Sequence, residues 1–410
     1  MSRLIERIAA DGTFRALLAR LQELDPARRP RAEGVPVDPT PVSADGLWGS
    51  FAPILAGAVA HQLGRPLLYV TAHLDQADEI RDDLELFCGV TPDLLSAFET
   101  VTGEGAASDE IHAERVALCA RLMDRRTSRD AADTSQPLWI VAPIQALMQS
   151  VPSPSALAAD LLDLRVGEQR DPQALAEWLV EHGYTRLDQV ESPGDFALRG
   201  EILDIFPPAE VEPYRIDFFD DVIESIRRFD VSTQRSSEEF RQIRVAGLAS
   251  TKASAFAKST RRRGGTAQID ESRIASFLSY LPDDTIIAFA EPLEIQEIGK
   301  TFWTRLNTPR GMMPVDRLFQ RAAAFAQLHL YAIAAPGVPD RFGFGVQSLT
   351  RFETRPTEAL NELADLARQR DVILYCDNEP ERDRFVELWK ESLGALPPRL
   401  TLEIGLMHHG

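Results

Sequence analysis

Cysteine is scarce. Three thiols in 410 residues, Cys88, Cys119 and Cys376, stand far apart without metal-ligand spacing. This argues against a disulfide framework and for a reduced, cytoplasmic compartment in which all three act as small buried hydrophobes. Long apolar runs are missing as well. The longest, near Phe51 to Ala60, is too short to span a bilayer, and the opening MSRLIERIAADG mixes charge into its apolar residues as no signal peptide does. Basic residues are outnumbered 44 to 63, a net charge of -19. Such a surface repels a phosphate backbone and disfavours non-specific DNA binding by the chain as a whole. The basic run Arg261, Arg262, Arg263, followed by Gly264 and Gly265, has no interleaved aromatics and reads as a solvated loop.

Catalytic signatures are absent too. No G-x-x-x-x-G-K-[ST] phosphate loop occurs; the nearest stretch, GLWGSFAP from Gly46 to Pro53, lacks both the lysine and the following Ser/Thr. The strand ending at Ala290 puts alanine where a magnesium-binding aspartate would stand, just before Glu291. The seven histidines form no H-x-x-x-H or H-E-x-x-H pattern, and His408-His409 is too short a run to define a site. Neither G-x-S-x-G nor C-x-x-C is found. The carboxylate pairs Asp82-Asp83, Asp220-Asp221 and Asp283-Asp284 fit solvated turns and faces in so acidic a chain. No catalytic, cofactor or metal residue is expected, and a binding module is.

The length implies two to four domains. Leu4 to Leu24 reads as one amphipathic helix, followed by a connector marked by Pro26, Pro30, Pro36, Pro39 and Pro41. A helix from Ser50 to Leu63, the strand RPLLYVTA, the helix ADEIRDDLELF, a helix capped by Ser108 with Ile111, Leu118 and Leu122 on one face, a polar loop RTSRDAADTSQ and the buried strand PLWIVA follow in turn. Such alternation predicts an α/β layer with a mostly parallel sheet.

Near residue 160 the character changes. Asp171-Pro172 caps a helix that ends at Gly183. Phe196 to Asp230 then reads as an antiparallel meander of three strands, joined by PPAEVEP and by a tight turn at Asp220-Asp221. In its middle strand Tyr214, Ile216 and Phe218 share one face, and Arg215, Asp217 and Phe219 share the other. DESRIASFLSYL reads as a helix before a buried strand, Thr285 to Ala290, and near 345 another unit begins, with two helix-strand pairs. The last ends close to Gly410 with too little chain left to cover a sheet, so a piece of a longer protein is expected.

The stretch HGYTRLDQVESPGDFALRGEILDIFPPAEVEPYRIDFFDDVIESIRRFDVSTQRS closely resembles the N-terminal region of the bacterial transcription-repair coupling factors, and more distantly the excision-repair protein UvrB. The run of matches covers Gly183 to Ser236. Weaker likeness lies in DEIHAERVALCARL, PIQALMQSVPSP and LEIGLMHHG. Where the family pattern has RGGILDIFP, this chain carries Glu201 at the second glycine, a departure expected to alter local twist. Gly89 to Glu110 is short, with Phe98 its only aromatic, unlike the aromatic-rich DNA-probing hairpin of UvrB.

The resemblance implies the fold class α/β. A degenerate RecA-like, phosphate-loop-like parallel-sheet domain is assembled from 1–160 and 248–345. A small α+β adaptor is inserted at 161–247, and a partial third α/β domain covers 346–410. It also implies a partner, UvrA, docked through Arg199, Arg215 and Phe219. All three are expected together on one exposed patch, with substitutions there sparing stability. No cofactor is implied for this stretch. The whole protein of such a family is an ATP- and magnesium-dependent translocase on duplex DNA that displaces stalled RNA polymerase. The rival reading is a UvrB-like ATPase or helicase acting directly on damaged DNA, and a third is a standalone regulatory protein ending at Gly410.

Overall fold

The computed structural model describes residues 3–24, 41–98, 106–127, 137–208, 210–247, 271–306, 311–334, 340–347 and 355–406. The connector prolines Pro26, Pro30, Pro36 and Pro39, the Arg261–Arg263 run, the loop over 128–136 and His408-His409 lie outside them. Nineteen strands are described, numbered in chain order. The first five are β1 (Val42–Asp45), β2 (Leu67–Thr71), β3 (Asp93–Leu94), β4 (Trp139–Pro143) and β5 (Val151–Pro152). Next come β6 (Leu161–Arg165), β7 (Thr185–Arg186), β8 (Asp195–Arg199), β9 (Ile202–Ile205) and β10 (Tyr214–Phe219). They are followed by β11 (Val222–Phe229), β12 (Ser236–Phe240), β13 (Gln242–Ala246), β14 (Ile274–Ala275) and β15 (Ile286–Ala290). The chain closes with β16 (Ala326–Tyr331), β17 (Arg341–Gly343), β18 (Val372–Cys376) and β19 (Leu400–Ile404).

Seven strands form one wholly parallel sheet in the order β17-β1-β16-β15-β2-β4-β3. The sequence builds it from short continuous apolar runs, because a parallel sheet covered on both faces leaves no polar side. LLYVT and WIVAP are buried at every position. Their alternation shows instead in which core each residue joins. Leu68, Val70, Ile140, Ala142, Ile287 and Phe289 pack on one side, while Leu67, Tyr69, Trp139, Val141, Ile286 and Ala288 pack on the other. The helix Phe51–Leu63 crosses the second core so closely that a Cβ on Gly57 would lie 2.6 Å from the Cys88 sulfur.

Between β4 and β15 the chain leaves this layer and builds a second sheet, β12-β11-β10-β9-β8-β7, antiparallel except for the β7–β8 pair. The α/β class and the antiparallel-rich insert are therefore as the sequence implies. The pair β6–β13 joins Arg165 to Gln242 at one end and Leu161 to Ala246 at the other. Leu162, Leu164, Ile243 and Val245 of this ribbon belong to the insert's core, whereas Leu161 and Ala246 pack against the parallel-sheet core. A further two-stranded parallel sheet, β18–β19, packs on the helices Pro356–Gln369 and Glu379–Leu393 around Trp389. No helix among the described residues is long and apolar enough to cross a membrane.

Four local expectations need correction. Leu4–Leu24 is not one helix: Arg3–Ala10 and Gly12–Glu23 are separated at Asp11, whose carboxylate accepts from Phe14 N at 2.9 Å and so starts a new helix. Ser108 is no cap, because the helix already runs from Ala106 to Thr127. DESRIASFLSYL is not an α-helix. Two short 3-10 turns, Glu271–Arg273 and Phe277–Tyr280, flank β14, which pairs with β5. That pairing and the bond from Tyr280 Oη to Pro152 O at 2.6 Å outweigh a helix-like apolar spacing. Finally, the first of the three expected meander strands is itself a hairpin, β8–β9, turned at Gly200-Glu201.

Candidate protein-docking face

The inserted sheet has one face on its main core, and its other face is partly covered by a small cluster of Val190, Ala197 and Phe206 and partly open to solvent. Leu198, Leu203, Ile216, Ile226 and Phe240 stand in register on the inner side. On the outer side Ala197, Asp204, Arg215 and Arg227 form one cross-strand row, and Arg199, Ile202, Asp217 and Ser225 form the next. β10 alternates to its end, so Phe218 is buried and Phe219 points out opposite Val222, while the register shift at Asp217/Phe218 leaves Glu224 of β11 as the extra residue.

Two turns hold this geometry. Gly200 takes φ +61 in the two-residue β8–β9 loop, a conformation that costs glycine nothing. Glu201 is not among the positive-φ residues, so the family's second glycine is not required by the backbone here. Asp220, φ +54, turns β10 into β11, as a short polar side chain tolerates.

The arginines are organised by a residue that the sequence reading missed. Asp204 is 1% exposed, and both its oxygens are used. Arg199 Nη2 donates to Oδ2 at 2.6 Å; Arg215 donates from Nε to Oδ1 at 2.8 Å and from Nη2 to Oδ2 at 3.0 Å. Arg215 Nη2 also reaches Gln234 Oε1 at 2.8 Å, and its guanidinium lies 4.2 Å from the Phe229 ring centroid. The bond to Asp204 leads the causes that hold the Arg215 pKa above its ordinary value, so this residue is a fixed cation. Nearby, Arg227 pairs with Asp217, which also accepts from Ser225 Oγ at 2.6 Å. Asp204 shares the outer-face alternation of GEILDIF, but its role depends on cross-strand register, which no spacing in one strand displays.

Arg199 and Arg215 therefore meet on one carboxylate. Their exposures differ: the Arg199 side chain is 45% exposed and that of Arg215 only 16%. The expectation is one exposed patch holding all three residues; Phe219 is exposed, at 70%, whereas Arg215 is largely withdrawn under its partners. Ile202 at 37% and Val222 at 36% add to the exposed apolar surface beside Phe219, and sequence reasoning passed over both. The face thus presents three apolar side chains bordered by guanidinium groups, of which that of Arg215 is held on Asp204 and Gln234, a composition suited to protein docking.

The stretch that stands in place of a phosphate loop is built differently. Gly46, φ +75, follows β1, and a Cβ there would lie 2.0 Å from the Phe344 carbonyl oxygen. Phe344 N donates to Asp45 O at 2.8 Å, its ring stands 6.0 Å from that of Phe51, and the Asp45 carboxylate pairs with Arg341. Backbone of the same chain thus lies directly against the loop that precedes the helix Phe51–Leu63. Glu291, at the end of β15, accepts from Ala332 N at 2.6 Å and serves the β15–β16 junction. No cluster of metal-binding side chains occurs among the described residues.

With this geometry in hand, comparison with known proteins defines first the class of the insert: residues 162–249 match the model of the UvrB interaction domain. The wider sequence then narrows the likeness to the transcription-repair-coupling factors. The chain is 35% identical to that of Bacillus subtilis over 202 residues, 49% of this chain and 16% of that protein. To that of Escherichia coli it is 30% identical over 200 residues, 48% of this chain and 17% of that protein. To that of Haemophilus influenzae it is 40% identical over 103 residues, 25% of this chain and 9% of that protein. The resemblance to the N-terminal region of a transcription-repair coupling factor is thereby supported, and the matched stretch spans less than a fifth of each of these relatives.

Proposed function

We propose that this chain is the repair-recruiting module of a transcription-repair coupling factor and that the outer face of its six-stranded sheet docks on UvrA. The observation that carries the reading is Phe219, 70% exposed beside Ile202 and Val222 within the matched interaction domain. A single exposed apolar residue is ordinary, but Phe219 with Ile202 and Val222 forms a cluster that docking would bury. Arg199 and Arg215, held on Asp204, would then meet partner carboxylates with little further loss of side-chain freedom.

The chain itself is proposed to act without nucleotide, metal or catalysis. The missing phosphate-loop lysine and the Phe344 backbone against Gly46 support this. ATP, magnesium, duplex DNA and RNA polymerase are proposed partners of a complete protein of this family, in the cytoplasm, and not of these residues. The parallel-sheet segments 1–160 and 248–345, the adaptor at 161–247 and the unit at 346–410 are proposed as its working parts.

The test is binding to immobilised UvrA from a bacterium that carries a close relative of this chain. Phe219→Ala is expected to weaken binding by about 2 kcal/mol or more, roughly thirtyfold, and Arg199→Glu by more through added repulsion. Phe219→Ala should leave the melting temperature within a few degrees, since exposed substitutions change stability by only about 0.5 kcal/mol, whereas Arg199→Glu removes a bond to the buried Asp204 and is scored only on protein shown to be folded. Undiminished binding by folded Phe219→Ala and Arg199→Glu proteins would overturn the assignment.

A further inference from the structure

The carboxyl edge of the parallel sheet carries an unusual surface, remote in sequence from the adaptor. Four neighbouring strands, β1, β16, β15 and β2, run in the same direction and end side by side. Within three residues of each strand's end stands one exposed large apolar residue: Trp48 after β1, Ile333 after β16, Leu293 after β15 and Leu74 after β2. They are 46%, 70%, 68% and 41% exposed. Exposed aliphatic residues scattered singly are ordinary, but one at the tip of every strand across four adjacent strands is a row.

Hydrogen bonds tie the strand-end segments into one ledge. Leu47 N donates to Tyr331 O at 3.1 Å, joining the ends of β1 and β16. Glu291 N donates to Leu330 O at 2.9 Å, and Glu291 Oε1 accepts from Ala332 N at 2.6 Å, joining β15 to β16. His73 Nε2 meets Glu294 Oε1 at 3.0 Å, joining β2 to β15. With strands about 4.8 Å apart, the row is roughly 15 Å long, close to three turns of an α-helix.

The charge on the ledge has one sign. Residues 46–50, 72–76, 291–294 and 332–334 contain Asp75, Glu291 and Glu294 but no lysine or arginine. An apolar row bordered by carboxylates matches a helix with aliphatic residues along one stripe and basic residues beside it. In open α/β sheets this edge is also the place where ligands collect. Here a phosphate-binding lysine is missing from the loop after β1, and the edge presents greasy side chains in its place.

We propose that this ledge is a second protein-docking surface, whose occupant is a basic amphipathic helix of a partner protein. The probe is a fluorescein-labelled 18-residue lysine/leucine peptide with its leucines at helical spacing. Controls are a scrambled peptide of the same composition and a glutamate/leucine peptide of the same pattern. Anisotropy titration of the whole chain should give saturable binding of the patterned basic peptide, about tenfold tighter than either control. Leu293→Ser, Ile333→Ser and Glu294→Lys should each weaken it by about tenfold, while Val180→Ser, exposed on the insert, should not. Equal affinity for the scrambled peptide, an absence of binding, or unchanged binding by the ledge variants would overturn the proposal. So would a concentration-dependent dimer in sedimentation velocity that Leu293→Ser abolishes, since the row would then pair with a second copy of the chain. Loss of UvrA binding by Phe219→Ala bears on the adaptor alone, so the two proposals fail separately.

Discussion

Asp204 is the residue whose removal should say most about the docking face. Its carboxylate, 1% exposed, accepts three bonds from two guanidinium groups. Asp204→Ala would leave Arg215, 16% exposed, without its anion and against the Phe229 ring. Breaking a buried, hydrogen-bonded pair from one side costs about 3–5 kcal/mol, and the lower end applies because Gln234 still accepts from Arg215. The 45% exposed Arg199 can turn to water, so its share is below about 1 kcal/mol. A double-mutant cycle separates the two. Coupling of Asp204 to Arg215 should be about 2 kcal/mol, and to Arg199 less than about half of that. Urea unfolding monitored by amide exchange within β8 to β11 supplies the free energies for this sheet, apart from the transitions of the rest of the chain. A cost below about 1 kcal/mol for Asp204→Ala, or equal coupling to both arginines, would refute the idea that a buried carboxylate sets the face. The same reasoning makes Arg215→Glu a poor probe of docking, because it sets a second carboxylate against Asp204 and should unfold the sheet.

Three further outcomes are expected. His112, 1% exposed, has its pKa pushed down to about 3 by burial and by Arg115. The unfolded chain, with its imidazole near 6.5, binds the proton first, so stability falls as pH drops through 6.5 toward 3, by about 2 kcal/mol at pH 5; a melting series in which His112→Leu does not flatten this slope would contradict it. Glu201→Gly should destabilise by about 0.5 kcal/mol, because the position has no positive φ to relieve and the unfolded chain gains freedom; chemical denaturation showing a gain would count against that backbone reading. Calorimetric titration with MgATP should give no saturable heat at millimolar concentration, and a micromolar site would restore the ATPase reading.

What the sequence displayed was whatever depends on neighbours along the chain. Runs such as LLYVT and IIAFA announced buried parallel strands, Asp171-Pro172 marked a helix start, and the alternation of Tyr214 to Phe219 separated inner from outer residues. Phe219 was legible because an aromatic on the outer phase of an amphipathic strand is conspicuous. Asp204 was not, since its partners lie 5 and 11 residues away and meet only through strand pairing. Ile202 and Val222 escaped because an aliphatic residue beside a turn reads equally well as buried. The row of Trp48, Leu74, Leu293 and Ile333 spans almost 300 residues of chain and exists only once the strand order is known.

The β6–β13 ribbon has a mechanical meaning. Its two strands enter and leave the insert at the same end, Arg165 beside Gln242, and reach the parallel layer together at Leu161 and Ala246. A pull along the ribbon axis is therefore shared by two covalent legs in the same direction, and such a pull neither shears nor unzips the bonds between them. Arg244, paired with Asp163 across the ribbon and with Asp124 on the helix Ala106–Thr127, braces the stalk sideways. Load reaching the inserted sheet thus passes to the parallel layer through two backbone connections rather than through side-chain contacts alone.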